Sequence, residues 1–346
     1  MEWFADFARV SFGGIETVFD VSSVFCEFNI GDKFFSIKWY GVIIAFGFTL
    51  AALFGGRIAY TWRINLSKMV DVLIYGTFGG IIGARAYYVI FQWDYYSQNP
   101  AEIFQIWNGG LAIYGGIIGG LLAAFITCKV EKLNFYNLLD MVGMSLLIGQ
   151  GIGRWGNYAN QEAFGTFTNG NFGMMSKKVA AYIASHPDKF GLDGVADVHG
   201  YIEENNLFVH PTFFYEFVWC MLGFLVLYIT LKKFRKFSGQ LFLSYGIWYG
   251  LGRTFIEGLR TDSLYIGDTS LRVSQVLSIC IVVVCSVILV AMLIKVKKHS
   301  VKIEGVDYFP PDAAKMRSEI KAEKLKLQSN IKTVELNNEK GDSDNG

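Results

Sequence analysis

Charged residues are scarce in this sequence, and so are the residue patterns that build disulfide frameworks and metal sites. Only 18% of its 346 residues are charged, whereas soluble domains average about 25%. The five cysteines are an odd number without a CxxC pair, and the four histidines lack zinc-ligand spacing. We therefore predict no disulfide framework and no metal site, and we interpret the cysteines as small apolar fillers.

The net charge also carries little information about partners. It is +1 at pH 7, which favours neither an acidic nor a basic partner for the chain as a whole. The sequence contains no nucleotide-binding glycine loop, no stripe of basic residues and no internal repeat. We therefore predict that the protein has no nucleic-acid partner.

Long apolar runs are what the sequence has in abundance, since 52% of its residues are hydrophobic. A transmembrane helix needs about 20 mainly apolar residues, and a helix satisfies its own backbone hydrogen bonds in lipid. We therefore predict an all-α integral membrane protein with seven transmembrane helices. The predicted spans lie near residues 37–58, 69–91, 110–129, 135–153, 211–231, 239–257 and 273–295.

Basic residues mark one side of these spans. Lys and Arg are enriched in cytoplasmic loops, and four basic clusters share one side if the N-terminus is outside and the C-terminus is cytoplasmic. The clusters are Arg57 to Lys68, Lys129 to Lys132, Lys232 to Lys236 and Lys295 to Lys302. The N-terminus lacks the basic stretch and apolar core of a cleavable signal peptide, so we expect none.

The same pattern divides the chain into three parts. Residues 1–36 form an extracytoplasmic N-terminal segment, residues 37–295 the transmembrane domain, and residues 296–346 a charged cytoplasmic tail. The longest loop, 154–210, lies outside and is longer than a simple connection needs. In the tail we predict a helix that begins near Asp312, a good N-cap, and then a disordered polar end.

Several charged residues interrupt the apolar spans. An ionised side chain at mid-bilayer costs about 2.5–3.5 kcal/mol on insertion scales and usually has a function. For Asp140, a structural ion pair and a functional role are equally consistent with the sequence. Glu216 lies early in a helix, where an acidic residue suits the helix dipole, so we interpret it as structural. The set comprises Arg85, Asp140, Glu216, Arg253 and Glu257, with Arg154 at the end of a span.

Glycines four residues apart occur in the second and third spans. Gly79 and Gly83 show this spacing in one span, and Gly115 and Gly119 show it in the next. Small residues at this interval allow helices to approach closely in lipid. We interpret these glycines as packing residues.

The sixth span contains a polar stripe. Tyr249, Arg253 and Glu257 are spaced by four residues, and Arg260 follows after three more. This spacing places them on one helical face. The stripe is either an interhelical ion-pair network or part of a site that faces a cavity, and we favour the site.

A second polar stretch, GQGIGRWGNYANQEAFG (Gly149–Gly165), follows the fourth span. Its Arg154 and the distant Arg253 are able to converge on one anion, because the planar guanidinium binds phosphate oxygens bidentately. The abundant phosphate in a membrane is a phospholipid head group. The side chains available to bind head-group hydroxyls are Asn157, Asn160 and Glu162.

At these residues the sequence resembles the prolipoprotein diacylglyceryl transferase family, which acts in bacterial lipoprotein maturation. The resemblance starts from GRWGNYANQEAFG (Gly153–Gly165) and extends in family order over nearly all of residues 37–295. The other matching motifs are KWYG (Lys38–Gly41), GARAYYV (Gly83–Val89), WNGGLAIYGG (Trp107–Gly116), HPTFFYE (His210–Glu216) and YGLGRTFIEGLR (Tyr249–Arg260). The family's seven helices, with the N-terminus outside, agree with the charge pattern.

The resemblance implies an enzyme of the bacterial cytoplasmic membrane that crosses it several times. Its reaction would move the diacylglyceryl group of phosphatidylglycerol to the lipobox cysteine of a preprolipoprotein signal peptide. The products would be a thioether and glycerol phosphate, and no metal or organic cofactor is implied. Because a thiol with a pKa of about 8.5 is mostly protonated at neutral pH, the reaction needs a base as well as cations for the leaving phosphate.

The resemblance also assigns residues by position. Arg154 corresponds to the phospholipid-binding arginine of the family and Arg253 to its second essential arginine. Residues that match positions important for activity are Tyr40, Asn157, Glu162, Gly165 and Tyr249. Residues that match without a separable role are Arg85, Asp140 and Glu257.

One position departs from part of the family. Some members have a histidine, proposed as the base, where this chain has Tyr114. Tyrosine has a pKa near 10 and is a poor base unless an arginine lowers it. Three interpretations remain: Tyr114 is deprotonated in the site, Tyr114 only orients the lipid, or the proton passes to Glu162 or His210. We favour a role for Tyr114 in orienting the lipid.

Two other functions are consistent with charged residues inside a membrane. A transporter or channel would suit them, but the sequence has no inverted repeat of broken helices and no pore-like pattern. A phospholipid-modifying enzyme with a different acceptor is the second alternative. Lipid transfer to a peptide thiol distinguishes both from the transferase.

Overall fold

The architecture was obtained from a computed structural model, and it is helical with a small β-structure beside the helices. The structure describes residues 7–12, 15–20, 23–31, 33–168, 172–261 and 272–298. The helix predicted near Asp312 lies outside these ranges. All seven predicted spans fall on long helices within the described ranges.

The helices follow the apolar runs of the sequence. In chain order they are α1 (Trp39–Thr61), α2 (Leu66–Phe91), α3 (Trp93–Tyr96), α4 (Ile113–Val130), α5 (Phe135–Asn160), α6 (Lys177–Ser185), α7 (Val198–Glu204), α8 (Thr212–Ile229), α9 (Gln240–Glu257) and α10 (Val273–Lys298). A π-helical turn, Thr230–Phe234, extends α8. Short 3-10 turns cover Pro100–Phe104, Ile106–Asn108 and Pro187–Phe190.

Five of these helices are long and apolar enough to cross a membrane, which indicates a multi-pass membrane protein. They are Trp39–Thr61, Leu66–Phe91, Ile113–Val130, Thr212–Phe234 and Val273–Val296. The helices α5 and α9 have sufficient length but are less apolar. Both carry polar residues of the predicted site, Arg154 and Asn157 on α5 and Arg253 and Glu257 on α9.

Glycines allow the backbones of α2 and α4 to lie in direct contact. A Cβ atom added to Gly83 would lie 2.4 Å from the carbonyl oxygen of Gly115, and one added to Gly119 would lie 2.3 Å from that of Gly79. Both distances are well below any contact that a real Cβ atom makes. The packing role predicted from the four-residue spacing is confirmed.

Asp140 holds the start of α9 against α5. Its carboxylate accepts hydrogen bonds from Arg235 Nε and from the backbone N–H groups of Gly239 and Phe242, each at 2.9 Å. The side chains of Asp140 and Arg235 are 0% and 1% exposed. Of the two roles left open for Asp140, the structure supports the ion pair with an arginine.

The strands are an addition to the predicted all-α class, which describes only the helical body. They are β1 (Phe7–Phe12), β2 (Ile15–Asp20), β3 (Val24–Ile30), β4 (Lys33–Lys38), β5 (Phe167–Thr168), β6 (Phe172–Ser176) and β7 (Phe208–Val209). One antiparallel sheet has the order β2-β1-β6-β7-β5, and β3 and β4 form a separate hairpin. A regular alternation does not extend through these strands, since apolar residues are adjacent in β2 (Val18 and Phe19), β3 (Val24 to Cys26) and β4 (Phe34 and Phe35).

The five-stranded sheet and two short helices enclose a second core. Met174 on β6, Ile183 on α6, Ile202 on α7 and Val209 on β7 are almost fully buried there. We call this unit, residues 161–210 with β1 and β2, the outer module. The sequence analysis assigned Arg154 to Asn160 to the same loop, but these residues form the last two turns of α5.

Candidate active site

A single carboxylate links three arginines from separate parts of the chain. Glu216 lies in the second turn of α8, and its Oε2 pairs with Nη2 of Arg154 from α5. Its Oε1 lies 3.3 Å from Nη1 of Arg253 on α9 and 3.5 Å from Nη1 of Arg260, just after α9. We call Glu216 and these three arginines the arginine cluster. It joins three helices, because Arg154 lies on α5, Glu216 on α8 and Arg253 on α9.

Exposure differs between the carboxylate and two of its partners. The Glu216 side chain is 9% exposed, whereas those of Arg154 and Arg253 are each 20% exposed. Arg253 Nη2 also lies 2.9 Å from Glu257 Oε2, one helical turn away. The structure therefore brings Arg154 and Arg253 together on one carboxylate and leaves part of each side chain exposed.

An amide and carboxylate network continues from Arg154. Arg154 Nη1 donates to Asn157 Oδ1 at 3.4 Å, and Asn157 Nδ2 donates to Glu162 Oε1 at 3.1 Å. Asn160 Nδ2 donates to the same oxygen at 3.2 Å. Lys178 Nζ donates to the backbone oxygen of Asn160 at 2.7 Å, which ties the network to the outer module. Glu162 is thereby oriented by two amides through a single oxygen.

A left-handed turn places Glu162 beside the helix that precedes it. Gln161, with φ of 51°, ends α5, and Ala163 also has a positive φ of 57°. The Glu162 N–H donates to the Asn157 carbonyl at 3.0 Å, so the chain folds back over the last turn of α5. This satisfies a free carbonyl at the helix end.

Gly165 brings three chain segments together next to the cluster. It forms a β-bridge with Arg260, and its N–H donates to the His210 carbonyl at 2.9 Å. A Cβ atom at this position would lie 2.8 Å from the Cβ of His210 and 2.9 Å from the Leu259 oxygen. The predicted lipid-binding position therefore acts through packing, because no side chain fits there.

The three predicted tyrosines occupy different surroundings. Tyr40 lies in the first turn of α1 against Gly156, where an added Cβ atom would be 2.9 Å from its ring. Tyr249 stacks on Tyr245, with ring centroids 5.8 Å apart, one turn before Arg253. Tyr114 lies in the first turn of α4 and is 42% exposed, and within the described residues it makes no hydrogen bond to the arginine cluster.

Arg85 lies apart from the cluster and binds backbone instead. Its guanidinium donates to the carbonyl oxygens of Glu102, Ile103, Gly109 and Gly110 at 2.6–2.9 Å. Positive φ angles of 87° and 72° at the two glycines turn both carbonyls toward it. With its donors directed at carbonyls, Arg85 orders the connection between α2 and α4.

Two expectations from the sequence require correction. Helix α9 ends at Glu257, so Arg260 is not part of the helical stripe and reaches the cluster through its bridge with Gly165. Glu216 was interpreted as a dipole-stabilising residue, but it is the centre of the ion pairs. The sequence did contain a signal for this role. Glu216 is a carboxylate in an otherwise uncharged helix, and a buried carboxylate needs cationic partners.

His210 lies at the entrance to α8, outside the helices. Its Nδ1 lies 3.1 Å from the Tyr215 hydroxyl. Burial lowers the pKa of His210 below its usual value of 6.5, so the imidazole is neutral at pH 7. It therefore keeps a nitrogen able to accept a proton, as the sequence analysis required of a candidate base.

The family model for prolipoprotein diacylglyceryl transferase matches residues 27–291, which include every member of the arginine cluster. The chain belongs to this family. The resemblance read from the motifs is confirmed, and the family match covers all seven long helices except the last few residues of α10.

Curated relatives of the family are similar over most of this chain. A phosphatidylglycerol--prolipoprotein diacylglyceryl transferase of Staphylococcus haemolyticus (strain JCSC1435) is 40% identical over 291 residues, 84% of this chain and 96% of the relative. The protein of the same name from Staphylococcus aureus (strain Newman) is 41% identical over 268 residues, 78% of this chain and 88% of the relative. The similarity therefore extends across the whole helical body.

Proposed function

We propose that this protein transfers the diacylglyceryl group of phosphatidylglycerol to the lipobox cysteine of preprolipoproteins, the first step of lipoprotein maturation. Family membership and the names of its relatives support the reaction. The observation that carries the proposal is the convergence of Arg154 and Arg253 from separate helices on one carboxylate. An arrangement of two guanidinium groups that share a carboxylate also suits a phosphate, because two oxygens of either anion accept the paired N–H groups of an arginine.

The reaction is a displacement at carbon. The cysteine thiolate attacks the glyceryl carbon that bears the phosphate, a C–S bond forms, and the C–O bond to the phosphate breaks. The bonding electrons leave with glycerol phosphate, while the thiol proton passes to a base. Arg154 and Arg253 stabilise the phosphate as its negative charge increases, and Asn157 orients Arg154. The second substrate is the signal peptide of the preprolipoprotein.

The candidate proton acceptors differ in their position. Glu162 belongs to the network that contains Arg154, and its Oε1 already accepts two amide hydrogen bonds. His210 is neutral, and its backbone carbonyl accepts a hydrogen bond from the Gly165 N–H. We assign Tyr114 an orienting role, and a Tyr114→Phe enzyme with unchanged turnover would exclude any essential hydroxyl at that position.

We also propose how often the chain crosses the membrane and on which side its loops and termini lie. All seven long helices cross the bacterial cytoplasmic membrane, with residues 1–36 and the loop 154–210 outside and the tail 296–346 in the cytoplasm. The basic clusters support this direction, and the arginine cluster then faces the outer leaflet. A membrane-impermeant maleimide should label Asn206→Cys from outside intact cells and should not label Lys132→Cys, both in a cysteine-free background.

A transfer assay tests the function directly. Labelled phosphatidylglycerol and a lipobox peptide should give labelled peptide with the wild-type protein. Arg154→Ala and Arg253→Ala should each lower the rate by at least about 100-fold, since each removes charge stabilisation of the leaving phosphate. The matched control is Arg57→Ala, which removes the same charge. Arg57 is exposed and lies near the C-terminal end of α1, whereas Tyr40 lies at its start.

Three results would reject the proposal. Full activity in both cluster variants would remove the phosphate role of the arginines. Equal transfer to a peptide whose cysteine is replaced by serine would indicate a phospholipid-modifying enzyme with another acceptor. Substrate-driven flux in proteoliposomes without lipid transfer would indicate a transporter.

A further inference from the structure

The carboxylate of Glu216 is held differently from that of Asp140, another buried carboxylate of the helical body. Asp140 accepts two backbone N–H groups, from Gly239 and Phe242, in addition to Arg235. Within the described residues, Glu216 contacts guanidinium groups, and no backbone N–H donates to it. Asp140 is therefore fixed to the backbone, whereas Glu216 is held by side chains.

A carboxylate and a phosphate compete for the same guanidinium groups. Both anions accept paired hydrogen bonds from the planar fork of arginine. In the structure, Glu216 takes Nη2 of Arg154 and Nη1 of Arg253. A phosphate that takes both of these N–H groups replaces the Glu216 contacts. Arg260 Nη1 lies 3.5 Å from Glu216 Oε1, so a third cation is next to the carboxylate.

We propose that Glu216 is a resident counter-anion that the lipid phosphate displaces from Arg154 and Arg253, and that it pairs with them again as glycerol phosphate leaves. This inference rests on the proposed transferase function for the identity of the phosphate. Glu216 is a positioning residue in this scheme, since it acts through the arginines and no bond to it forms or breaks. Its return prevents the product from remaining on the cluster.

Competition between Glu216 and the phosphate predicts how a change at residue 216 alters phosphate affinity. When a competing contact keeps a binding group occupied, the apparent affinity falls by the fraction of protein that is competent to bind. Removal of the charge from residue 216 should therefore strengthen phosphate binding and slow product release. A purely structural glutamate gives the opposite result, because its loss would disorder the arginines and weaken binding.

The test is the binding of glycerol phosphate to purified protein in detergent, measured by calorimetry. Glu216→Gln should bind it about tenfold more tightly than the wild type. In the transfer assay the same variant should show a lower KM for phosphatidylglycerol, a lower kcat and stronger inhibition by glycerol phosphate. The more conservative Glu216→Asp retains the charge. If the glutamine variant folds poorly, Glu216→Asp should still show an affinity for glycerol phosphate, a KM and a kcat close to those of the wild type.

Glu257→Gln is the matched control. It removes the same charge from the site, but Glu257 contacts Arg253 one turn away and does not bridge it to Arg154. An equal gain in affinity in both variants would show a general electrostatic effect and overturn the proposal. Weaker or unchanged binding in Glu216→Gln would also overturn it.

The calorimetric result is independent of the transfer reaction. If the wild type binds glycerol phosphate and Glu216→Gln binds it more tightly, the exchange is supported even when no transfer to peptide is detected. If transfer is detected and binding is unchanged by Glu216→Gln, the function stands and the exchange is rejected.

Discussion

Arg154 and Arg253 share Glu216 but differ in their other contacts. Arg154 also reaches Asn157, and through it Glu162, whereas Arg253 pairs with Glu257 on its own helix. The first arginine is thus connected to the outer module and the second to the helical body. A ligand that binds both would connect these two parts through one phosphate.

Gly165 gives the first prediction at the scale of a residue. Gly165→Ala introduces a Cβ atom 2.8 Å from that of His210 and 2.9 Å from the Leu259 oxygen. Relief of this overlap should cost about 1–3 kcal/mol of stability and should move Arg260 away from Glu216. We expect a lower unfolding temperature and lower transfer activity. Gly56→Ala, where a Cβ atom meets only ordinary contacts, should be tolerated.

His210 gives a pH prediction. Because burial lowers its folded-state pKa below 6.5, the stability it contributes is fully present above pH 6.5 and is lost as the pH falls through the folded-state pKa. We expect the unfolding temperature to fall between pH 7 and pH 5, and His210→Gln to remove part of that fall. The other titratable groups are the same in both proteins. An identical pH dependence of the unfolding temperature in the variant would therefore contradict a contribution from His210.

The connection between α2 and α4 gives a prediction at the scale of an element. Arg85→Met removes the donors that bind four carbonyls between Glu102 and Gly110. Each carbonyl left without a partner costs about 1–3 kcal/mol if it stays buried, so the connection should open. Hydrogen exchange of residues 100–110 should become faster by at least about tenfold. Arg85→Lys, with three donors, should give an intermediate rate.

The helices themselves show which local patterns were informative. Apolar runs located all seven long helices, because length and hydrophobicity are properties of contiguous residues. Glycine spacing predicted the close packing of α2 and α4, because residues four apart share a helical face. The strands of the outer module gave no such signal, because β5 and β7 have two residues each and apolar residues are adjacent in β2 and β6.

The sheet gives a prediction at the scale of the whole molecule. β1 pairs with β6 over Ala8–Phe12 and Phe172–Ser176, so residues near the N-terminus complete a sheet built mostly from the loop between α5 and α8. Deletion of residues 1–20 exposes one edge of β6. We expect faster proteolysis of residues 161–209, while circular dichroism retains the helical signal.

A point variant provides the control for the deletion. Val10 pairs with Met174, and Val10→Pro removes one N–H from the centre of β1. It should increase proteolysis in the same region, whereas Val10→Thr, which retains the N–H, should change it less. Unaltered proteolysis in both the deletion and the proline variant would show that the outer module does not need β1.

The sequence by itself determined the long helices and the packing glycines, and it identified Arg154 and Arg253 as arginines able to bind one anion. Each of these follows from the chemistry of one residue or from spacing within one helix. Only the tertiary structure decided that Glu216 joins the arginines, that Arg85 binds backbone, that Arg260 reaches the site through Gly165 and that β1 completes the outer sheet. These are contacts between residues far apart in the chain, and no periodic pattern specifies which distant partner a polar group will meet.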